Sequence, residues 1–138
     1  IGINVFAGND KATVVTDTGV ISDDILRRLD DTTLLVLEAN YDPHMLRFGP
    51  YQPFLKQRVA SDEGHLSNEM AAQALLMMKR PNFMQVILAH RSENNNNAVL
   101  VTQTIGKMLV DGGVRIGPEM KLQHGQPNEI VSIQSVKR

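Results

Sequence analysis

The chain has 138 residues, 42% apolar and 21% charged, and fourteen Lys and Arg against fifteen Asp and Glu leave a net charge of −1. This is ordinary globular composition with length enough for one core, and it provides no global basic field for indiscriminate nucleic-acid binding. Apolar runs of about five residues fall far short of the roughly 20 needed to span a bilayer, and the absence of Cys excludes disulfides, thiolate nucleophiles and Cys-based metal sites.

Ile3 to Phe6 and Ala12 to Thr16 read as two β-rich runs joined by the turn residues Gly8-Asn9-Asp10, a hairpin that delivers Asp17 at a strand end. Ser22 followed by Asp23 and Asp24 has the form of a helix N-cap with acid in the first turn, and Ile25, Leu26 and Leu29 supply the apolar stripe. Thr33 to Leu37 is a continuous apolar and β-branched run, the pattern of a buried strand, and Glu38 follows it. Residues 39–64 show no helical period, carry Pro43, Pro50 and Pro53, and read as an unusually long connection of the kind that often carries function. From Leu66 to about Lys79, Ala71, Ala74, Leu75 and Met78 mark one helical face behind Ser67, Asn68 and Glu69, with Pro81 beyond its end. Met84 to Ala89 is a second buried strand, ending at His90. Val101, Ile105, Met108 and Leu109 define a helix closed by Gly112-Gly113, and two strands are predicted around Met120 to Gln123 and Ile130 to Val136. The β-β-α-β-α-β-α-β-β order predicts an α/β fold, a sheet covered by helices, with residues 1–138 as a single unit.

Three core strands end at, or just before, a chemically useful side chain: Asp17, Glu38 and His90. Ligands collect beyond strand ends in open α/β sheets, so their convergence is expected. Taken singly, each also has a plain structural role: Asp17 shaping a turn, Glu38 pairing with a nearby base, His90 capping a strand. His65 stands just before a predicted helix N-terminus, where backbone N–H groups favour phosphate or carboxylate, unless Ser67 is only a cap and His65 merely exposed. With so few His, the chain is short of ligands for a stable zinc site of its own.

Four of the six aromatic residues, Tyr41, Phe48, Tyr51 and Phe54, fall within the long connection. Arg47, Lys56 and Arg58 accompany them, with no acid between Pro43 and Ser61. Basic groups meet phosphates while aromatic faces stack on unpaired bases, so single-stranded nucleic acid is one reading; anchoring of the loop onto the core is the other.

The series Thr16-Asp17-Thr18-Gly19, Leu37-Glu38-Ala39-Asn40-Tyr41-Asp42, Gly64-His65-Leu66-Ser67-Asn68-Glu69 and Leu88-Ala89-His90-Arg91-Ser92-Glu93-Asn94-Asn95 resembles metallo-β-lactamase-fold hydrolases, in particular the YycJ-like (WalJ-like) exonuclease subgroup. The resemblance implies the C-terminal half of an αββα sandwich, a mixed sheet with helices on one face. It implies a hydrolase whose complete site holds two divalent metal ions, Zn or Mn, with Asp17 and His90 among their ligands. It further implies that Glu38 and His65 form a catalytic pair at the scissile phosphate. Ser67 and Asn68 at the helix start, with Arg47, Lys56 and Arg58 of the basic-aromatic connection, are the candidate substrate-binding residues. The usual His-x-His-x-Asp-His cluster is absent, so the metal-binding N-terminal half is expected upstream of Ile1 and the chain alone is expected to be inactive. The residue after the last His, usually apolar in such proteins, is Arg91 here, which adds a phosphate contact or perturbs the strand end. Self-association through an uncovered sheet face, no membrane partner and a cytoplasmic location complete the expectations. Hydrolysis of a small ester, thioester or lactam on the same fold, and a non-catalytic half-domain, are the alternatives.

Overall fold

The structure, a computed structural model, describes residues 1–133. Its elements are β1 (Gly2–Ala7), β2 (Asp10–Val15), α1 (Asp23–Leu29), β3 (Leu34–Glu38), α2 (Pro43–Phe48), α3 (Pro53–Val59), α4 (Asn68–Met77), β4 (Met84–Ala89), α5 (Ala98–Asp111) and β5 (Met120–His124). The strands form one mixed sheet in the order β1-β2-β3-β4-β5. β1 pairs antiparallel with β2 across the Gly8 turn, and the other three pairings are parallel. Each parallel connection passes through helix and steps in the same direction across the sheet. Right-handed crossovers then put the helices on one side.

The packing bears this out. Val15, Leu35, Leu37, Met84, Val86, Leu88 and Met120 alternate along β2 to β5 and share one core with Leu29 of α1, Ala71, Ala74 and Leu75 of α4, and Val101, Ile105 and Leu109 of α5. Intervening residues such as Val14, Leu34, Val36 and Ile87 face the other way and stay partly accessible, while Ile3 and Val5 of the edge strand are exposed. This α/β arrangement, a mixed five-stranded sheet with helices, is consistent with one half of a metallo-β-lactamase-like sandwich.

Two helix starts, at Ser22 and Ser67, follow their predicted chemistry, and Asn97 caps a third in the same way. Ser22 Oγ accepts from the Ile25 N–H, Ser67 Oγ from Met70 N–H, and Asn97 Oδ1 from Leu100 N–H. Gly112 ends α5 as expected, where its N–H donates to the Met108 carbonyl.

Two expectations need correction. Residues 39–64 are not a structureless connection but contain α2 and α3, each short and each opening on Pro at its first turn, where a missing N–H costs nothing. Tyr41, Leu46 and Val59, with Tyr51 against them, form a small second core under these helices. The strand expected from Ile130 is also absent over 130–133, and its remaining positions, 134–136, lie outside the described residues.

Candidate active site at the C-terminal sheet edge

The parallel register of β2, β3 and β4 sets Val15 beside Leu37 and Glu38 beside Ala89, so Asp17, Glu38 and His90 emerge together at one edge of the sheet. Asp17 and His90 both adopt φ of 54°, a left-handed conformation that non-glycine residues rarely take. Beyond the strands, the chain at 39–41 runs between two neighbours. Asn40 N–H donates to the Leu66 carbonyl, Asn68 N–H to Tyr41, and Ser92 N–H to Asn40, while the Asn40 side-chain amide donates to the His90 carbonyl at 2.7 Å. This ladder draws His65 and His90 to either side of Glu38.

Two glycines complete the approach of His65. Gly19 N–H donates to the Asp62 carbonyl, and a Cβ at position 19 would lie 1.7 Å from the Ser61 carbonyl oxygen. A Cβ at Gly64 would lie 2.2 Å from the Val59 carbonyl oxygen. Only glycine allows the turn before His65 to close onto both the end of α3 and the loop after Asp17.

Glu38 is fully buried, and its carboxylate is the node of the site. Oε1 accepts from Nδ1 of His65 at 2.7 Å and from Nδ1 of His90 at 2.6 Å, while Oε2 accepts from the Leu66 N–H at 3.2 Å. An ionised carboxylate can only accept, so both imidazoles carry a proton on Nδ1 and leave Nε2 for other chemistry. The two rings meet edge to face with centroids 5.2 Å apart, and Asp17 Oδ1 lies 3.8 Å from His90 Nδ1. One donor atom from each of Asp17, Glu38, His65 and His90 lies within 4.8 Å of the others, a group able to hold a metal ion.

The donor set discriminates among these four. Glu38 already engages both oxygens with three N–H groups, the arrangement of a carboxylate that orients imidazoles from behind rather than one free to bind a cation. That leaves the Asp17 carboxylate and the two Nε2 atoms, chemistry that suits Zn or Mn but fewer groups than two metal ions require.

The remaining candidates lie outside this four-residue group, at the start of α4 and on α2 and α3. Ser67 caps α4, and Asn68 exchanges side-chain hydrogen bonds with Asn96, itself tied to the Ala39 carbonyl at 3.1 Å. Arg47 rests over the Phe48 ring, 5.4 Å from its centroid, and Lys56 Nζ donates to the Arg47 carbonyl. Phe48 and Phe54 are 67% and 71% exposed, whereas Tyr41 belongs to the small core. Sequence reasoning gave no role to Asn40 or Asn96. Asn96 sits in a run of four Asn that reads as solvated loop, although its side chain is buried; the only signal for Asn40 was its place directly after Glu38-Ala39.

Together the sheet edge and the carboxylate–imidazole cluster define an α/β chain with a group of side chains able to hold a metal ion. No family model matches the chain and no solved structure matches it. It is 33% identical over 128 residues to exodeoxyribonuclease YycJ of Bacillus anthracis, covering 93% of this chain and 48% of that protein. It is 35% identical over 124 residues to exodeoxyribonuclease WalJ of Streptococcus pneumoniae D39, covering 89% of this chain and 46% of that one. Over about nine-tenths of its length the chain is thus a homologue of the YycJ/WalJ exodeoxyribonucleases, and it spans about half the length of these curated relatives. No helix among the described residues is long and apolar enough to cross a membrane.

Proposed function

We propose that this chain supplies one side of the catalytic centre of a cytoplasmic, metal-dependent, exonuclease-like phosphodiesterase acting on single-stranded nucleic acid. The observation that carries the reading is the buried Glu38 carboxylate holding two imidazoles by Nδ1 beside Asp17. Residues 1–138 act as one unit of a longer polypeptide, whose metal-binding N-terminal half provides the ligands missing here, in keeping with the half-length coverage of the relatives. Without that half the chain is inactive. In this reading, its apolar outer sheet face also drives self-association.

Asp17 and Nε2 of His90 are assigned as ligands of the two metal ions. Zn or Mn bound there supplies Lewis acidity toward a phosphodiester and neutralises charge that builds on it. Glu38 fixes the His65 ring through Nδ1–H, so that a proton on His65 Nε2 is aimed at the departing oxygen and passes to it while Nδ1–H stays bonded to Glu38. Arg47, Lys56 and Arg58 meet backbone phosphates, with Phe48 and Phe54 available to stack on bases. Ser67 and Asn68, buried at the start of α4 and bonded to its backbone and to Asn96, brace the substrate-binding wall from within.

The test uses the full-length polypeptide, with metal content and hydrolysis of a labelled single-stranded oligonucleotide measured together. Asp17→Ala is expected to remove metal and activity. His65→Ala is expected to lower turnover at least a hundredfold while retaining most of the metal. Equal metal loss in both variants would overturn the division of roles. Turnover of a small ester or lactam without turnover of any oligonucleotide would overturn the substrate class.

A further inference from the structure

A second feature opens directly off the centre. His90 and Arg91 both line a cavity of about 680 Å³ whose wall continues through Ser92, Asn96, Asn97 and Gly125. That is ample for a polar ligand group, and because His90 belongs to the four-residue cluster the cavity adjoins the reacting position. Arg91 is only partly exposed, yet among the described residues it makes no hydrogen bond or ion pair. Its charge still acts across this end of the sheet, since burial first and Arg91 second hold the His124 imidazole below its ordinary pKa. Glu93 and Glu129 also line the cavity, and Arg91 is the one fixed cation among its described lining residues. A lone guanidinium fits a single phosphate rather than a run of them.

We propose that Arg91 and this cavity form a subsite for the phosphate that flanks the scissile one on a bound nucleic-acid strand. The inference rests on the phosphodiesterase reading above and extends it to how the strand is held. The guanidinium belongs to the residue after His90 and lines the same cavity, and its fork of N–H donors matches phosphate oxygens in a bidentate way. Substrates that carry a neighbouring phosphate gain this contact; a diester with one phosphate does not.

The experiment compares full-length wild type, Arg91→Leu and Arg91→Lys. With metal removed by chelator, binding of a short single-stranded oligonucleotide is followed by fluorescence anisotropy across a salt series. Arg91→Leu is expected to weaken binding about tenfold and to lower the salt slope by about one, with Arg91→Lys restoring the slope and part of the affinity. With metal present, the ratio of kcat/KM for the oligonucleotide to that for bis-p-nitrophenyl phosphate is expected to fall about tenfold in Arg91→Leu. Unchanged binding and an unchanged ratio would overturn the subsite, as would an equal fall for both substrates, which would place Arg91 at the reacting centre itself. If wild type cleaves neither substrate, the phosphodiesterase reading fails on its own, and the binding series still decides whether Arg91 holds a phosphate.

Discussion

The Glu38 node and the α2–α3 excursion are built on opposite principles. Glu38 is sealed from solvent and satisfied by donors from the His65–Leu66 turn and the β4 end. The excursion presents Phe48, Phe54 and basic side chains outward over a core of only a few residues. Groups that orient a proton donor must be fixed to a fraction of an ångström, whereas groups that follow a flexible strand gain from freedom to adjust. The contrast predicts that damage to the node appears in both stability and chemistry, and damage to the excursion in binding alone.

The sharpest break of that contrast is Glu38→Ala. It strands two imidazole N–H groups and the Leu66 N–H around a buried void, and we expect a loss of about 3 kcal/mol in urea unfolding, with oligonucleotide turnover reduced at least a hundredfold. Glu38→Gln retains the shape but turns one acceptor into a donor, and should fall between wild type and Ala on both measures. Full stability in Glu38→Ala would show that the node does not organise the fold around it.

Asn96→Ala comes next. It removes the reciprocal amide pair with Asn68 and the hydrogen bond to the Ala39 carbonyl, the link between the residue after Glu38 and the start of α4. About 2 kcal/mol of stability is expected to go, together with part of the turnover, because Glu38 and His65 lose their shared brace. Smaller still is the triple change of Arg47, Lys56 and Arg58 to Gln. Exposed charges contribute little to folding, so stability should move by less than about 0.5 kcal/mol while oligonucleotide affinity and its salt dependence both drop. A triple variant that unfolds more readily but binds normally would reverse the comparison.

The sequence revealed the node's parts better than the excursion's form. Asp17, Glu38 and His90 could be placed because each follows a run of core residues, and parallel strands bring such ends together. That Glu38 serves His90 as well as His65 could not be read, because one carboxylate oxygen shared by two imidazoles depends on ladder contacts from Asn40 to Leu66 and Ser92. α2 and α3 escaped because Pro43 and Pro53 look like breakers in a sequence yet stand at helix starts, and six or seven residues are too few to display a period. The edge between these two outcomes runs through Gly64. Its need for glycine comes from a backbone approach to Val59 that no local pattern announces.

His124 gives the finest test, since it is a half-buried imidazole without the carboxylate that His65 and His90 share. Its Nε2 lies 2.8 Å from Thr102 Oγ1, and its buried Nδ1 has no hydrogen-bond partner among the described residues. A proton on both nitrogens would therefore leave one N–H unmet, and burial, followed by the positive charge of Arg91, lowers the pKa from its ordinary 6.5. The folded state thus resists protonation that the unfolded chain accepts. Above about pH 6.5 both states are neutral here and the fold carries no penalty; as pH falls below that value the unfolded state takes up the proton first, and stability declines until the lowered folded pKa is reached. In His124→Gln this contribution is gone, so the drop in unfolding free energy between pH 7.5 and 5.5 should be shallower than in wild type. A slope that stays the same would mean that burying His124 without a carboxylate beside it has no energetic consequence.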